Sequence, residues 1–505
     1  MIARVQSCLL QGVEASGCEV EIDLDDRGLE RLTIVGLPDA AVKESLERVR
    51  SALGNAGYPF PQARVLINLA PADVRKEGPV YDLPIAVGLL IATGVVTGEG
   101  LDPRKLLLAG ELALDGRLRP VKGAIAMADF ARSAGLEGVV VPGDNAGEAA
   151  VVRGVNVYGP RTLGEVVGLL NGTVELEPAA APDIDRMLSS ASAPVDFGEV
   201  RGQEAVKRAI VVAAAGGHNL LMLGPAGSGK TMMAKALPGV LPPLTPHEAI
   251  EITRIYSAAG ALPAGESLIT TRPVRTPHHT ASSAAIVGGG VIPRAGEISL
   301  AHRGVLFLDE LPEFGRGVLE TLRQPMEDHV VTIARSHGSV RFPASFMLVA
   351  AMNPTPRGDV RPGESGRMEM ERYIGRISGP LLDRVDIHAE APAVPYEELS
   401  GKPKGTTTAD MRAQVNTARA AMRDRQDGIP NARLSGKKLD DLAPMTDAAR
   451  SMLGQAMTAL GLSARAYDKI RRVSRTIADL VEHETIDTEH VAEAVQYRLL
   501  DRRPA

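Results

Sequence analysis

Apolar residues recur at helical spacing over Ala40–Gly57, where Val42, Leu46, Val49 and Leu53 share one face, and this pattern predicts an amphipathic helix. Short apolar runs at Val65–Leu69, Leu106–Leu108 and Gly138–Val141 predict strands, so the first block mixes both element types. Further along, the apolar stretches Asn219–Leu223, Val305–Leu308 and Phe346–Ala350 alternate with helix-like segments, as a parallel α/β sheet requires. From Ala409 to Leu500 the pattern is helical throughout. Two stretches rich in Pro, Ala, Ser, Gly and Thr, Glu175–Asp196 and Ala391–Thr408, carry few periodic apolar residues and predict linkers. The expected organisation is therefore a first domain over 1–175, a linker at 176–195, a core at 196–395, a second linker at 396–408 and a helical block at 409–505.

Composition narrows the class. The 505 residues leave room for roughly three domains by the usual prior. With 44% hydrophobic and 23% charged residues, global disorder is excluded. A net charge of −6 excludes polyanion binding by bulk charge, so any nucleic-acid contact needs a local basic surface. Aromatic residues are 3% and Trp is absent, which disfavours an aromatic stacking platform for single strands. Cys8 and Cys18 alone supply neither a disulfide framework nor a four-ligand zinc site and read as reduced thiols. The longest apolar run, Ile85–Val96, is too short to span a bilayer, and no basic start with an apolar stretch opens the chain. The expectation is a cytoplasmic protein with no membrane partner.

The chemistry is concentrated in the middle block. Gly224-Pro225-Ala226-Gly227-Ser228-Gly229-Lys230-Thr231 fits G-x-x-x-x-G-K-[ST], with an apolar strand before it and a helix-like segment after it. The glycines let backbone N–H groups surround phosphate oxygens; Lys230 would reach the β- and γ-phosphates of ATP, and the Thr231 hydroxyl would ligate Mg²⁺. Val305–Leu308 leads into Asp309-Glu310, placing two carboxylates at the end of a buried strand. Asp309 then suits Mg²⁺, and Glu310 suits polarisation of an attacking water. The next strand ends at Asn353, whose amide could orient that water. Arg384, in Leu381-Leu382-Asp383-Arg384, follows as an arginine that a ring would present to a neighbouring subunit's nucleotide. Taken alone, Arg384 would more often read as half of a surface salt bridge.

This order of motifs resembles AAA+ ATPases. The strings LPPLTPHEAIEITRIYSAAG, RPVRTPHHTASSAAIVGGG, GVLFLDELPEF and RISGPLLDRVDIH resemble the magnesium-chelatase-like YifB/ComM family over essentially the whole chain. The resemblance implies a Lon-protease/S5-like α+β domain, a central P-loop AAA+ parallel-sheet domain and a C-terminal helical lid. It also implies a homo-oligomeric, six-membered ring with ATP between subunits, Gly202 and Gln203 near the adenine, and Arg465 as a second sensor arginine. Without the resemblance, Arg465, Lys469, Arg472 and Arg475 would read as the solvated basic face of a helix.

In the first block, Asn68–Pro84 and Gly110–Gly123 resemble the Lon-type peptidase fold, yet Gly78-Pro79 is followed by Val80-Tyr81-Asp82 where a nucleophilic serine is needed. Lys122 also falls three places before the position a base would take, so no Ser-Lys dyad is expected. Asp328–Pro343 predicts a β-hairpin carrying Arg335, His337 and Arg341, which the resemblance places in the pore as a contact for DNA, single-stranded or branched. An ordinary charged hairpin fits the same residues. The pair His278-His279 lacks a third ligand for a metal and predicts a structural or inter-subunit polar role. The loop after Asn353 carries Arg357, Arg361 and Arg367 but none of the cysteines common in relatives. Three activities compete: an ATP-driven DNA motor for branch migration, a chelatase motor for Mg²⁺ insertion, and a protein-remodelling chaperone. The family resemblance favours the first.

Overall fold

A computed structural model describes residues 2–25, 31–190, 195–290, 293–335, 338–356, 364–400, 405–498 and 500. Its contacts divide the chain into two units, Met1–Ser189 with Pro246–Thr270, and Ser190–Thr245 with Thr271–Ala505.

The first unit is built on a seven-stranded sheet. Strands Ile2–Gln11 and Glu14–Asp25 form a hairpin turning at Gly12; burial alternates along the second from Cys18 to Leu24, whereas Ser7, Cys8 and Leu9 of the first are buried in succession. Arg64–Ala70 pairs antiparallel with the second of these, and Arg31–Val35 lies parallel at the edge. On the other side, Leu106–Leu108, Gly138–Val140 and Asn156–Tyr158 continue the sheet in parallel. The predicted helix forms as Ala40–Asn55, capped by Asp39, whose side chain accepts from Val42 N at 2.7 Å. The apolar run Ile85–Val96 lies mostly in helix Asp82–Ala92, which is buried almost all round against the sheet. Val80 packs on this core, Tyr81 is buried, and Asp82 pairs with Arg48 at 2.8 Å. The Gly78–Asp82 stretch is thus filled by packing and an ion pair.

Helix Pro246–Ala259 departs from the expected organisation. It lies between two motifs of the core, yet it packs with the first unit, against helices Ala124–Ser133 and Ile184–Ser189. Its buried face holds Ala249, Ile252, Ile255 and Tyr256. Ser257 O accepts from Gly123 N at 3.2 Å, and Arg254 lies 3.5 Å from Asp129. Nearby, burial pushes the Glu148 carboxyl above its ordinary range, opposed by the Asn145 amide that donates to it at 2.9 Å. The chain therefore passes between the units three times rather than once. Both expected linkers also hold a short helix, Ile184–Ser189 and Tyr396–Ser400.

The second unit has a five-stranded sheet, parallel throughout, in the order Val274–Arg275, Val305–Leu308, Met347–Met352, Leu220–Leu223, Ile387–Glu390. The inner strands are buried on both faces and read as continuous apolar runs for that reason. Leu223 pairs with Met352 and Leu308 with Ala350, so the phosphate loop, Asp309 and Asn353 all leave the same edge of the sheet. Helices Thr408–Gln426, Gly436–Leu442, Asp447–Leu460, Ala464–Leu480 and Thr488–Gln496 form the helical region. Four of them begin on side-chain caps legible in the sequence, Thr407, Thr446, Ser463 and Asp487. The basic helix Ala464–Leu480 is no solvated face: Lys469 and Arg475 are buried. Arg475 and Arg425 both pair with the buried Asp479, which makes these cations part of the packing.

Candidate nucleotide site

Strand Leu220–Leu223 delivers Gly224 into a tight approach: a Cβ there would lie 2.0 Å from Ala391 O. Gly227 and Gly229 have φ of +80° and +88°, with no atom within 4 Å of a built Cβ, so backbone conformation rather than crowding requires glycine at both. Lys230 opens the following helix and folds back over the loop. Its Nζ donates to Gly224 O and Pro225 O, both at 2.7 Å, and to Asn353 Oδ1 at 3.2 Å. Burial lowers the Lys230 pKa, and the Asp309 carboxylate opposes that shift. The adjacent Thr231 hydroxyl donates to Asp309 Oδ2 at 2.7 Å. Two motifs far apart in sequence are thus joined through hydrogen-bonded side chains at one sheet edge.

Glu310 has a left-handed backbone, φ +53°, uncommon outside glycine and typical of strained functional positions. The bend is held by Glu310 N donating to Asp309 Oδ1 at 3.0 Å and by Glu313 N donating to Glu310 O at 2.8 Å. The exposed Glu310 carboxylate faces His279 Nδ1 at 3.4 Å. His279 packs beside His278, with ring centres 4.2 Å apart, and edge-on to Phe314. Each histidine of the pair thus meets a polar group of this chain, His279 the Glu310 carboxylate and His278 the Thr280 hydroxyl at 2.8 Å.

Arg384 and Arg465 bond to other groups. Arg384 Nη1 donates to Pro380 O at 2.7 Å and Nη2 pairs with Glu327, while the exposed Arg465 donates to Asp383 Oδ2 at 3.1 Å. The segment Asp383–Asp386 is fixed from several sides. Lys469 Nζ and Arg498 Nη1 donate to Val385 O at 3.1 and 2.7 Å. Asn219 Nδ2 donates to Arg384 O at 3.0 Å, and Asn219 Oδ1 accepts from Leu348 N at 2.9 Å. Burial alone would raise the Asp386 pKa, but the His218 ring and Lys469 outweigh it and hold the carboxyl well below its ordinary range. Sequence spacing gave no sign of Asn219, Lys469 or Asp386 in this role, because their partnership is tertiary.

Gly202 lies against the Glu398 carboxylate, and Gln203, with φ +61°, donates from Nε2 to Pro392 O at 2.6 Å. The hairpin forms from Val330–Arg335 and Gly338–Pro343, with the exposed Arg341 opposite Thr332. His337, Arg357 and Arg361 lie outside the described residues, and of Arg335 and Arg367 only the backbone is described.

The Thr231 and Asp309 oxygens are hard donors of the kind Mg²⁺ takes. Elsewhere, His483, Glu489 and His490 bring ligand atoms within 4.8 Å of one another. There, His490 Nδ1 accepts from Asp487 N at 2.8 Å, so Nε2 carries the ring proton and is a donor rather than a ligand. Among the described residues, no helix is long and apolar enough to cross a membrane.

Three family profiles match this chain: magnesium chelatase subunit ChlI over residues 196–399, subunit ChlI of Mg-chelatase over 20–145, and the ChlI C-terminal region over 405–498. Protein YifB of Salmonella typhimurium is 43% identical over 505 residues, covering 99% of this chain and 98% of the relative. Competence protein ComM of Haemophilus influenzae is 43% identical over 510 residues, with the same coverage of both chains. The magnesium-chelatase 38 kDa subunit of Rhodobacter capsulatus is 29% identical over 185 residues, 33% of this chain and 52% of the subunit. With matches of this extent laid over a phosphate loop, an Asp-Glu strand and an Asn strand in parallel order, the chain belongs to the YifB/ComM family of magnesium-chelatase-like AAA+ ATPases.

Proposed function

We propose that this chain hydrolyses ATP between the subunits of a six-membered homo-oligomeric ring and uses the energy to drive branch migration of DNA during recombination of incoming strands. The observation that carries the ATPase part is the paired convergence of Lys230 on Asn353 and Thr231 on Asp309. Thr231 and Asp309 would hold Mg²⁺, which when bound neutralises phosphate charge and aligns the β- and γ-phosphates. Lys230 exchanges its bonds to Gly224 O and Pro225 O for phosphate oxygens. Glu310 takes the proton of the attacking water, and Asn353 orients that water. Gly202 and Gln203 line the adenine. Arg384 of the neighbouring subunit stabilises the charge that develops on the transferred phosphoryl, and Arg465 reads the nucleotide from the lid.

The DNA part draws on the relative named a competence protein and on the hairpin with Arg341. Backbone tracking by Arg335, His337 and Arg341 would be independent of sequence. The buried thiols, with Cys8 pushed up to about 12 and Cys18 to about 11 chiefly by burial, suit the reducing cytoplasm. The ChlI profiles favour a second reading, metal insertion into a porphyrin. The two part on a mobile four-way junction: with ATP, the purified protein is expected to convert the junction to duplex products, and a non-hydrolysable analogue is expected to give none. ATP turnover that leaves the junction intact would move the assignment to metal insertion.

A further inference from the structure

Both terminal nitrogens of Arg384 are engaged within its own subunit. Nη1 donates to Pro380 O at 2.7 Å, Nη2 pairs with Glu327, and Nε is buried with no hydrogen-bond partner among the described residues. A guanidinium grips a phosphate best through paired N–H groups on one edge, so the Glu327 carboxylate on Nη2 competes with a neighbour's nucleotide for Arg384. Glu327 sits at the end of helix Arg323–Asp328, just before the hairpin strand Val330–Arg335. The joint between them is tied at His329. That residue has φ +56°, its N donates to Pro325 O at 3.0 Å, and its O accepts from Ala344 N at 2.8 Å beyond the returning strand. Both ends of the hairpin therefore meet at one residue, two places from the carboxylate that holds Arg384.

We propose that Glu327 is a positioning residue that keeps Arg384 inside its own subunit and releases it when the hairpin takes up single-stranded DNA. The inference rests on the reading of Arg384 as a finger acting on the neighbouring subunit. It supplies a route by which DNA in the pore speeds hydrolysis: a load on the hairpin shifts His329 and the helix end, and the Glu327 carboxylate leaves the guanidinium. The Glu327 side chain is 62% exposed and that of Arg384 18%, so the pair is partly screened and its release is a modest effect.

The test measures steady-state ATPase of the full chain, with and without a single-stranded oligodeoxythymidine, for the parent, Glu327→Gln, Glu327→Asp and Arg384→Ala. Glu327→Gln is expected to raise the rate without DNA by about two- to fivefold, to leave the DNA-stimulated rate and the KM for ATP unchanged, and so to shrink the stimulation ratio. Glu327→Asp, which keeps the charge, is expected to restore part of that ratio. An unchanged or lowered DNA-free rate in Glu327→Gln, with Arg384→Ala inactive, would overturn the latch and leave the finger standing. Full turnover by Arg384→Ala would overturn the finger reading and the latch with it. A parent indifferent to DNA, with Glu327→Gln raised, would keep the latch and refute only its release by DNA.

Discussion

Glu310→Gln is expected to bind ATP, assemble as the parent does, and lose turnover by about two to four orders of magnitude, the usual contribution of a positioned general base. The substitution keeps size and one acceptor oxygen but removes the carboxylate that takes a proton. It also leaves undisturbed the bend that aims the side chain, since the bonds to Asp309 Oδ1 and Glu313 N are made by backbone atoms of residue 310. Fluorescent-nucleotide binding and single-turnover hydrolysis separate the two effects. Retained binding with abolished chemistry assigns the proton transfer to Glu310, whereas brisk turnover would remove it from that role and leave His279, 3.4 Å from its carboxylate, without a catalytic partner.

Arg384→Ala is expected to lower hydrolysis by about three to five orders of magnitude, as for other arginines that complete a phosphoryl-transfer site. The loss should be complementable. An Arg384→Ala subunit retains Lys230, Asp309 and Glu310, and a Glu310→Gln subunit retains Arg384. Mixing two inactive proteins in equal amounts creates complete sites at about one interface in four of a closed ring. Recovery of turnover on mixing is the expected outcome. Continued inactivity, with ring formation verified, would place Arg384 on its own subunit's nucleotide.

Much of this site was legible because its parts are local. A strand, a glycine turn and a lysine at a helix start form one contiguous string. A buried strand that stops at Asp309-Glu310 needs no tertiary information to place its acids at a sheet end. The family resemblance ordered these parts, and the observed parallel sheet brings the phosphate loop, Asp309 and Asn353 to one edge. What escaped depends on distant partners. Helical spacing alone cannot separate a solvated arginine from Arg475, which is buried because Asp479 and two carbonyl oxygens take its charge. His279 read as half of a polar pair without a named partner, because Glu310 lies in another strand's loop. Helix Pro246–Ala259 carries a normal amphipathic face, and nothing in that face says which unit covers it. The hinge of the proposed latch was equally hidden, since Glu327 is one acid among many until Arg384 is seen against it.

Steady-state ATP hydrolysis by the full chain tests the central claim most directly, measured without nucleic acid and with single-stranded DNA, duplex and a four-way junction, using Lys230→Ala as the blank. Lys230→Ala should remove turnover altogether, because the ammonium now held at 2.7 Å by two loop carbonyls is the group proposed to meet the phosphates. The expected result for the parent is Mg²⁺-dependent hydrolysis that rises with DNA, most strongly on single strands or the junction. Robust hydrolysis equal in all four conditions would contradict the DNA motor, and hydrolysis that survives in Lys230→Ala would contradict the site itself.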